Sequence, residues 1–214
     1  MKPPQRRQKP TRNPTQERAR ATVDAILEAA ARIIEREGVA HLKTNQIARE
    51  AGVSIGSLYE YFSGRDPIVR ALCDRHLDGV RQIIDAAFEQ LADAPLDDAV
   101  GLVIDSLFLL HQGRPSLHQK LQHEFSLRFG LEPFIESDRY TEQKLVAWLH
   151  RRFPQKNLDD LSTRAFLAIR SGRTVTIHAF AEALPPDRLA RVRAALKALL
   201  VSALSSPSLD PPEI

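Results

Sequence analysis

Between Thr44 and Arg65 the sequence gathers hydroxyls, phenols and a guanidinium around a run of small residues, TNQIAREAGVSIGSLYEYFSGR. Thr44 and Ser54 each stand where a helix is expected to begin, so their hydroxyls and the free N–H groups beside them suit phosphate. Tyr59 and Tyr61 can donate to phosphate through their phenols. Arg65 can clamp one through its planar guanidinium, and Lys43 and Asn45 can add contacts to the same backbone. Ile55, Gly56 and Ser57 are small or apolar. A glycine among them lets the main chain approach base edges in a major groove, where each base pair presents a distinguishable pattern. None of the three carries the paired donors that read a base bidentately, so backbone contacts and DNA shape would carry much of the selectivity. Capping alone would account for Thr44 and Ser54, and packing for either tyrosine. Their joint spacing is what favours DNA.

Such a surface needs two short helices crossing at a sharp turn. Thr44 reads as the cap of the first, with Ile47, Ala48 and Ala51 on its inner face. Gly52 breaks it, because the turn calls for a positive φ that glycine adopts without strain. Ser54 then caps the second, whose Leu58 and Phe62 face inward. Ala48 is small enough to let the helices cross closely, and Ile47, Val53 and Leu58 fall where apolar groups lock the crossing. Before this pair, Val23, Ile26, Leu27, Ala30, Ile33 and Ile34 recur at three and four residues and predict a helix from about Thr15, stopped by Gly38. After it, Asp66 and Pro67 read as the cap and first position of a long helix. Its stripe runs through Ile68, Leu72, Leu77, Val80, Ile84 and Phe88 to Leu91.

The run from Val23 to about Leu72, with ILEAAARIIEREG followed by TNQIAREAGVSIGSLYEYFSGRDPIV, resembles the N-terminal domain of TetR/AcrR-family transcriptional regulators. The resemblance implies a three-helix domain that binds operator DNA as a homodimer, with phosphate contacts at Thr44, Tyr59 and Arg65. It also implies a divergent helical domain that binds a small-molecule effector, and it calls for no cofactor. Arg65 stands where lysine is commonest in the family and Lys43 where a second Thr or Ser is frequent, while Pro67 falls near the start of the fourth helix.

Charge fits a polyanion partner. Residues 1–70 hold 13 Lys and Arg against 8 Asp and Glu, and the remaining residues hold 17 against 19. The first sixteen residues, with Lys2, Arg6, Arg7, Lys9 and Arg12, read as a basic disordered arm that either tracks phosphates or serves as a solubilising tail. A single cysteine, Cys73, excludes an internal disulfide and fits a reducing cytoplasm. The N-terminus lacks the apolar stretch of a secretory signal, and no run of 18 apolar residues suggests a membrane span.

Helical patterns continue at about 96–112, 115–129, 134–153, 159–182 and 186–205, punctuated by prolines. The expected fold is all-α with about nine helices. Its domains are an arm at 1–16, a helix-turn-helix domain at 17–65, a helical effector-binding and dimerisation domain at 66–206, and a flexible tail at 207–214. Apolar stripes on the last two helices (Leu161, Phe166, Ile169, Ile177, Phe180; Leu189, Val192, Leu196, Leu199, Leu200, Leu204) suggest a four-helix dimer interface, or else packing inside one chain. Phe108, His111, Phe125, Phe129, Trp148, Phe166, Arg170 and Arg173 are the candidate walls of an effector site. The two arginines interrupt an apolar helix and call for an acidic partner or an anionic ligand if they point inward. His111, His118 and His123 do not have the four-residue step of paired metal ligands, so no metal site is expected. No Gly-rich phosphate loop, HExxH motif, GxSxG nucleophile elbow or convincing acid/base pair is expected. The expected function is therefore a DNA-binding regulator, a homodimeric repressor released by a small molecule. The alternatives are a ligand-independent architectural DNA binder and, further off, a helical enzyme.

Overall fold

The computed structural model describes residues 14–91 and 93–206. Among them are nine α-helices and no strand. They are α1 (Pro14–Glu37), α2 (Thr44–Ala51), α3 (Ile55–Tyr61), α4 (Arg65–Gln90), α5 (Leu96–Gly113), α6 (Pro115–Phe129), α7 (Glu132–Arg152), α8 (Leu158–Ala181) and α9 (Pro186–Ser205). Two compact units divide between Ile68 and Val69. The expected basic arm falls outside the described residues except at its end, where Pro14 already opens α1. The expected tail, 207–214, lies outside them as well.

In the first unit, Ile26, Ala30, Ile33 and Ile34 of α1 are fully buried, as the three-and-four spacing requires. Gly38 ends α1 at φ 84 and leads into a short 3₁₀ turn, Val39–His41, which places Val39 and Leu42 in the same core. That turn carries no periodicity of its own and is not legible as an element. Polar groups tie α1 to α2 outside the core. Glu50 accepts from Arg32 Nε and Arg36 Nη2, each at 3.0 Å, and Gln46 donates to both oxygens of Glu37.

The second unit is built around α8, which packs against α5, α6, α7 and α9. Leu145, Trp148 and Leu149 of α7 meet Leu161, Ala165 and Ala168 of α8 and Leu196, Leu200 and Leu204 of α9 in one apolar cluster. Several residues expected to form a dimer interface are thus consumed within the chain: Leu161 is 0% exposed, and Leu196, Leu200 and Leu204 are buried. Arg164 is also completely buried. Its Nε reaches both oxygens of Asp160, at 3.0 and 2.9 Å, and its Nη1 donates to the Ala203 carbonyl at 2.6 Å. A cation placed on the last turn of α9 offsets the partial negative charge of its free carbonyls. Lys156 does the same at the Ser206 carbonyl.

Candidate nucleic-acid interface and a cavity in the second unit

Gly52 takes the left-handed conformation (φ 70, ψ 26), and its N–H bonds back to the carbonyls of Ala48 and Arg49. Val53 N also reaches Ala48 O at 3.0 Å, so the chain reverses within two residues. Ile47, Ala48 and Leu58 are buried where the helices cross, and Phe62 closes the end of α3. Ser54 caps α3: its Oγ accepts from Ser57 N at 2.9 Å and also pairs with Ser57 Oγ.

The expected capping pattern holds for Ser54 but needs correction elsewhere. Lys43 is the cap residue of α2 and makes no side-chain cap bond. Thr44 is the first helical residue, and its Oγ1 instead lies 3.2 Å from the Tyr59 hydroxyl. Likewise α4 begins at Arg65, which puts Asp66 and Pro67 inside its first turn. Proline tolerates that place because the early N–H groups of a helix have no partner to lose. Arg65 Nε lies 3.3 Å from Asp66 Oδ1.

One face of α2 and α3 therefore stays open. Ile55, Tyr59 and Tyr61 are exposed at 40, 53 and 39%. Lys43, Asn45, Ser54 and Gly56 are exposed too, and Ser57 partly so. A Cβ added at Gly56 would meet only Ser54 Oγ, at an ordinary 3.7 Å. Packing does not demand glycine there, although it weakens a helix.

Contrary to the expectation that no such motif occurs, residues 52–56, Gly-Val-Ser-Ile-Gly, spell the GxSxG pattern of a nucleophile elbow. That motif needs a strand-to-helix turn that thrusts the serine out. Here it joins two helices, and Ser54 Oγ is occupied in capping.

Residues 26–72 match the family model for bacterial regulatory proteins of the tetR family. They form a TetR-family DNA-binding domain. Among solved structures, the fatty acid degradation regulator FadR from Bacillus halodurans superposes with a TM-score of 0.66 at 18% identity, covering 87% of this chain and 97% of its own. A transcriptional regulator from Aquifex aeolicus VF5 gives 0.63 at 14% identity, with 84 and 97% covered. A TetR-family transcriptional regulator from Streptomyces coelicolor gives 0.54 at 24%, again with 84 and 97% covered. At these identities the likeness establishes a shared fold, and it extends well past the TetR-family domain into the second unit. No curated protein matches the chain in sequence.

The second unit holds a cavity of about 140 Å³. Its walls are mostly aliphatic, from α4 to α9, with α6 contributing Leu121. Of the eight expected wall residues, His111, Trp148 and Arg173 line it, while Phe108, Phe125, Phe129, Phe166 and Arg170 do not. Phe108 is buried against Phe180 instead. Phe125 packs among Phe129 and Phe134, and the Arg70 guanidinium covers Phe129 at 4.7 Å. Phe166 is 47% exposed beneath the Arg170 guanidinium. Arg170 itself pairs with Glu142 at 3.0 Å and Asp138 at 3.5 Å. Both arginines thus form ion pairs, Arg170 off the cavity wall and Arg173 on it, where it reaches Asp138 at 3.1 Å.

Asp138, Ser137, Thr141 and Thr176 are wall residues that the sequence reading missed. The polar groups gather at one end. Side-chain pairings put α4 and α7 in step: Tyr140 and Lys144 bond Asp85, and Trp148 Nε1 donates to Leu91 O at 2.9 Å. Ser137, Asp138, Arg173 and Thr176 therefore lie at one end and Trp148 at the other. His76 and His111, their rings 5.7 Å apart, add to the wall. Burial pushes His76 down to about 4 and lowers His111, favouring the neutral form of both rings. Burial likewise pushes the Cys73 thiol up to about 12, which leaves no thiolate there. It also raises the Asp138 carboxyl, against the pull of Arg173 and Arg170. Among the described residues no three His, Cys, Asp or Glu side chains gather as a metal would require. The His118 side chain is outside that description. No described helix is long and apolar enough to cross a membrane.

Proposed function

We propose that the protein is a homodimeric cytoplasmic repressor that leaves its operator when a small molecule fills the cavity of the second unit. The observation that carries this reading is the presence, on one chain, of a DNA-reading helix-turn-helix and a cavity that an architectural DNA binder has no use for. In this reading Thr44, Tyr59, Tyr61 and Arg65 hold phosphates, with Lys43, Asn45 and Ser54 beside them. Ile55, Gly56 and Ser57 meet the base edges. The effector acts by binding the DNA-free conformation more tightly than the DNA-bound one, since equal affinity for both would shift nothing.

The dimer is supported by α8 and α9, which leave Phe166, Leu167 and Leu199 exposed at 47, 49 and 58%. Large apolar groups left exposed on the last two helices are what a two-fold partner would cover. A two-fold pair of recognition helices would read half-sites about one DNA turn, roughly 34–36 Å, apart. Two proteins of similar fold, a fatty acid degradation regulator and a multidrug binding protein complexed with imidazole, support small-molecule control.

In vitro transcription tests the reading. The template carries a site selected by the purified protein, placed across a promoter. Less transcript as protein is added is the expected result. Unchanged or increased transcript would contradict repression.

A further inference from the structure

We propose that the cavity selects an uncharged amphipathic ligand, with a compact apolar body and one head group that both donates and accepts a hydrogen bond, such as a primary amide. The inference rests on the effector-site reading above and names the ligand class.

Asp138 and Arg173 are the two formally charged residues on the cavity wall, and they offset each other across 3.1 Å. The Asp138 side chain is only 7% exposed. Its Oδ2 lies 3.1 Å from Arg173 Nη2 and 3.5 Å from Arg170 Nε, both at ion-pair distance, yet neither contact has the alignment of a hydrogen bond. Arg173 Nε is buried and likewise donates none. One ion-paired couple thus carries a buried acceptor held by charge alone and a buried donor with no hydrogen bond, and a native interior seldom leaves such groups without a hydrogen-bond partner.

A ligand that donates to Asp138 and accepts from Arg173 answers both at once. A full charge on the ligand would upset a balanced pair in a low-dielectric wall and leave one charge without a counter-ion. The remaining walls call for an apolar body. The volume, about 140 Å³, is close to the roughly 150 Å³ of an apolar cavity that accepts benzene, so a body of about six carbons fits.

Trp148 is the chain's only tryptophan and lines the cavity, so its fluorescence reports occupancy. The full-length protein is titrated with hexanamide, hexanoate and hexylammonium, which share one chain and differ in head-group charge. Hexanamide is expected to bind at least ten-fold more tightly than either ion, at one molecule per chain. Equal or tighter binding of hexanoate or of hexylammonium overturns the inference, as does absence of binding by all three. Asp138→Asn, checked for folding by circular dichroism, leaves the Arg173 charge uncompensated and is expected to bring hexanoate to at least the affinity of hexanamide. A properly folded variant with unchanged preference overturns the assignment of the head group to this pair. DNA selection without any probe reports on the regulator reading separately, so one can fail while the other stands.

Discussion

The Tyr59 hydroxyl stands 3.2 Å from Thr44 Oγ1, linking the first turn of α2 to the exposed face of α3. Tyr59 is 53% exposed, so this bond contributes little to folding. In the proposed interface the two converging hydroxyls meet one phosphate oxygen. Tyr59→Phe and Thr44→Ala are each expected to weaken DNA binding about ten-fold, or about 1.4 kcal/mol, with Tm almost unchanged. The double variant should lose less than the sum, because the two groups share a target. Fluorescence anisotropy with labelled DNA gives the affinities, and thermal melts give the stability.

In the proposed interface Arg65 is the charged contact, and it should behave differently from the two hydroxyls. Its pairing with the adjacent Asp66, at 3.3 Å, is half exposed and contributes little to stability. Arg65→Ala is expected to weaken binding to all DNA sequences alike and to lower the slope of log affinity against log salt by about 1. Tyr59→Phe should leave that slope alone. Salt titrations of both variants separate the two kinds of contact.

Gly56 is unexplained by packing, since an added Cβ meets nothing closer than 3.7 Å. Gly56→Ala should therefore stabilise α3, by up to about 1 kcal/mol. The same methyl group would stand between the helix and the groove, so DNA affinity should fall while Tm rises. A variant that gains stability and binds DNA like the parent would remove Gly56 from the interface.

These predictions rest on the part of the chain that was most legible. Every demand of the helix-turn-helix is local: a positive φ at Gly52, a cap at Ser54, a small residue at Ala48. Each is met by one residue type at one spacing. Thr44 misled for a local reason too, since a hydroxyl at a helix start suits the cap or the first turn equally well. The cavity was far less legible. Phe125 and Phe129 looked like walls but satisfy each other and Phe134, and Asp138 sits in a polar run, ESDRY, that gives no hint of burial. Which helix faces pair across the second unit is a long-range property, and neither periodicity nor composition encodes it. Arg164 is an intermediate case: Asp160 four residues earlier signals a helical ion pair, yet nothing local signals complete burial.

Arg164 should be the costliest polar residue to remove. Replacing it removes two charged hydrogen bonds to Asp160 and strips a 2.6 Å bond from the Ala203 carbonyl. Arg164→Leu is expected to destabilise the second unit by on the order of 3 kcal/mol, read from urea denaturation. A loss under about 1 kcal/mol would mean that the buried pair is dispensable.

The cavity histidines set a pH dependence. His76 has its ordinary 6.5 when unfolded and about 4 when folded, because burial disfavours its charged form. Between these values the unfolded chain binds a proton that the folded chain refuses, so stability falls as pH drops from about 6.5 to about 4. His111 is lowered for the same reason and acts in the same direction. Denaturation midpoints measured across that range should fall for the parent and fall less steeply for His76→Gln. NMR titration of the His76 ring gives the folded value directly.

DNA binding by the first unit is the claim on which the rest depends, and a selection experiment measures it most directly. Purified protein is used to select from random double-stranded DNA, and the bound fraction is sequenced and re-measured at rising salt. A partially palindromic site with half-sites about one turn apart should emerge, with affinity falling steeply as salt increases. Recovery of no preferred sequence, with no salt-sensitive binding to any duplex, would contradict it.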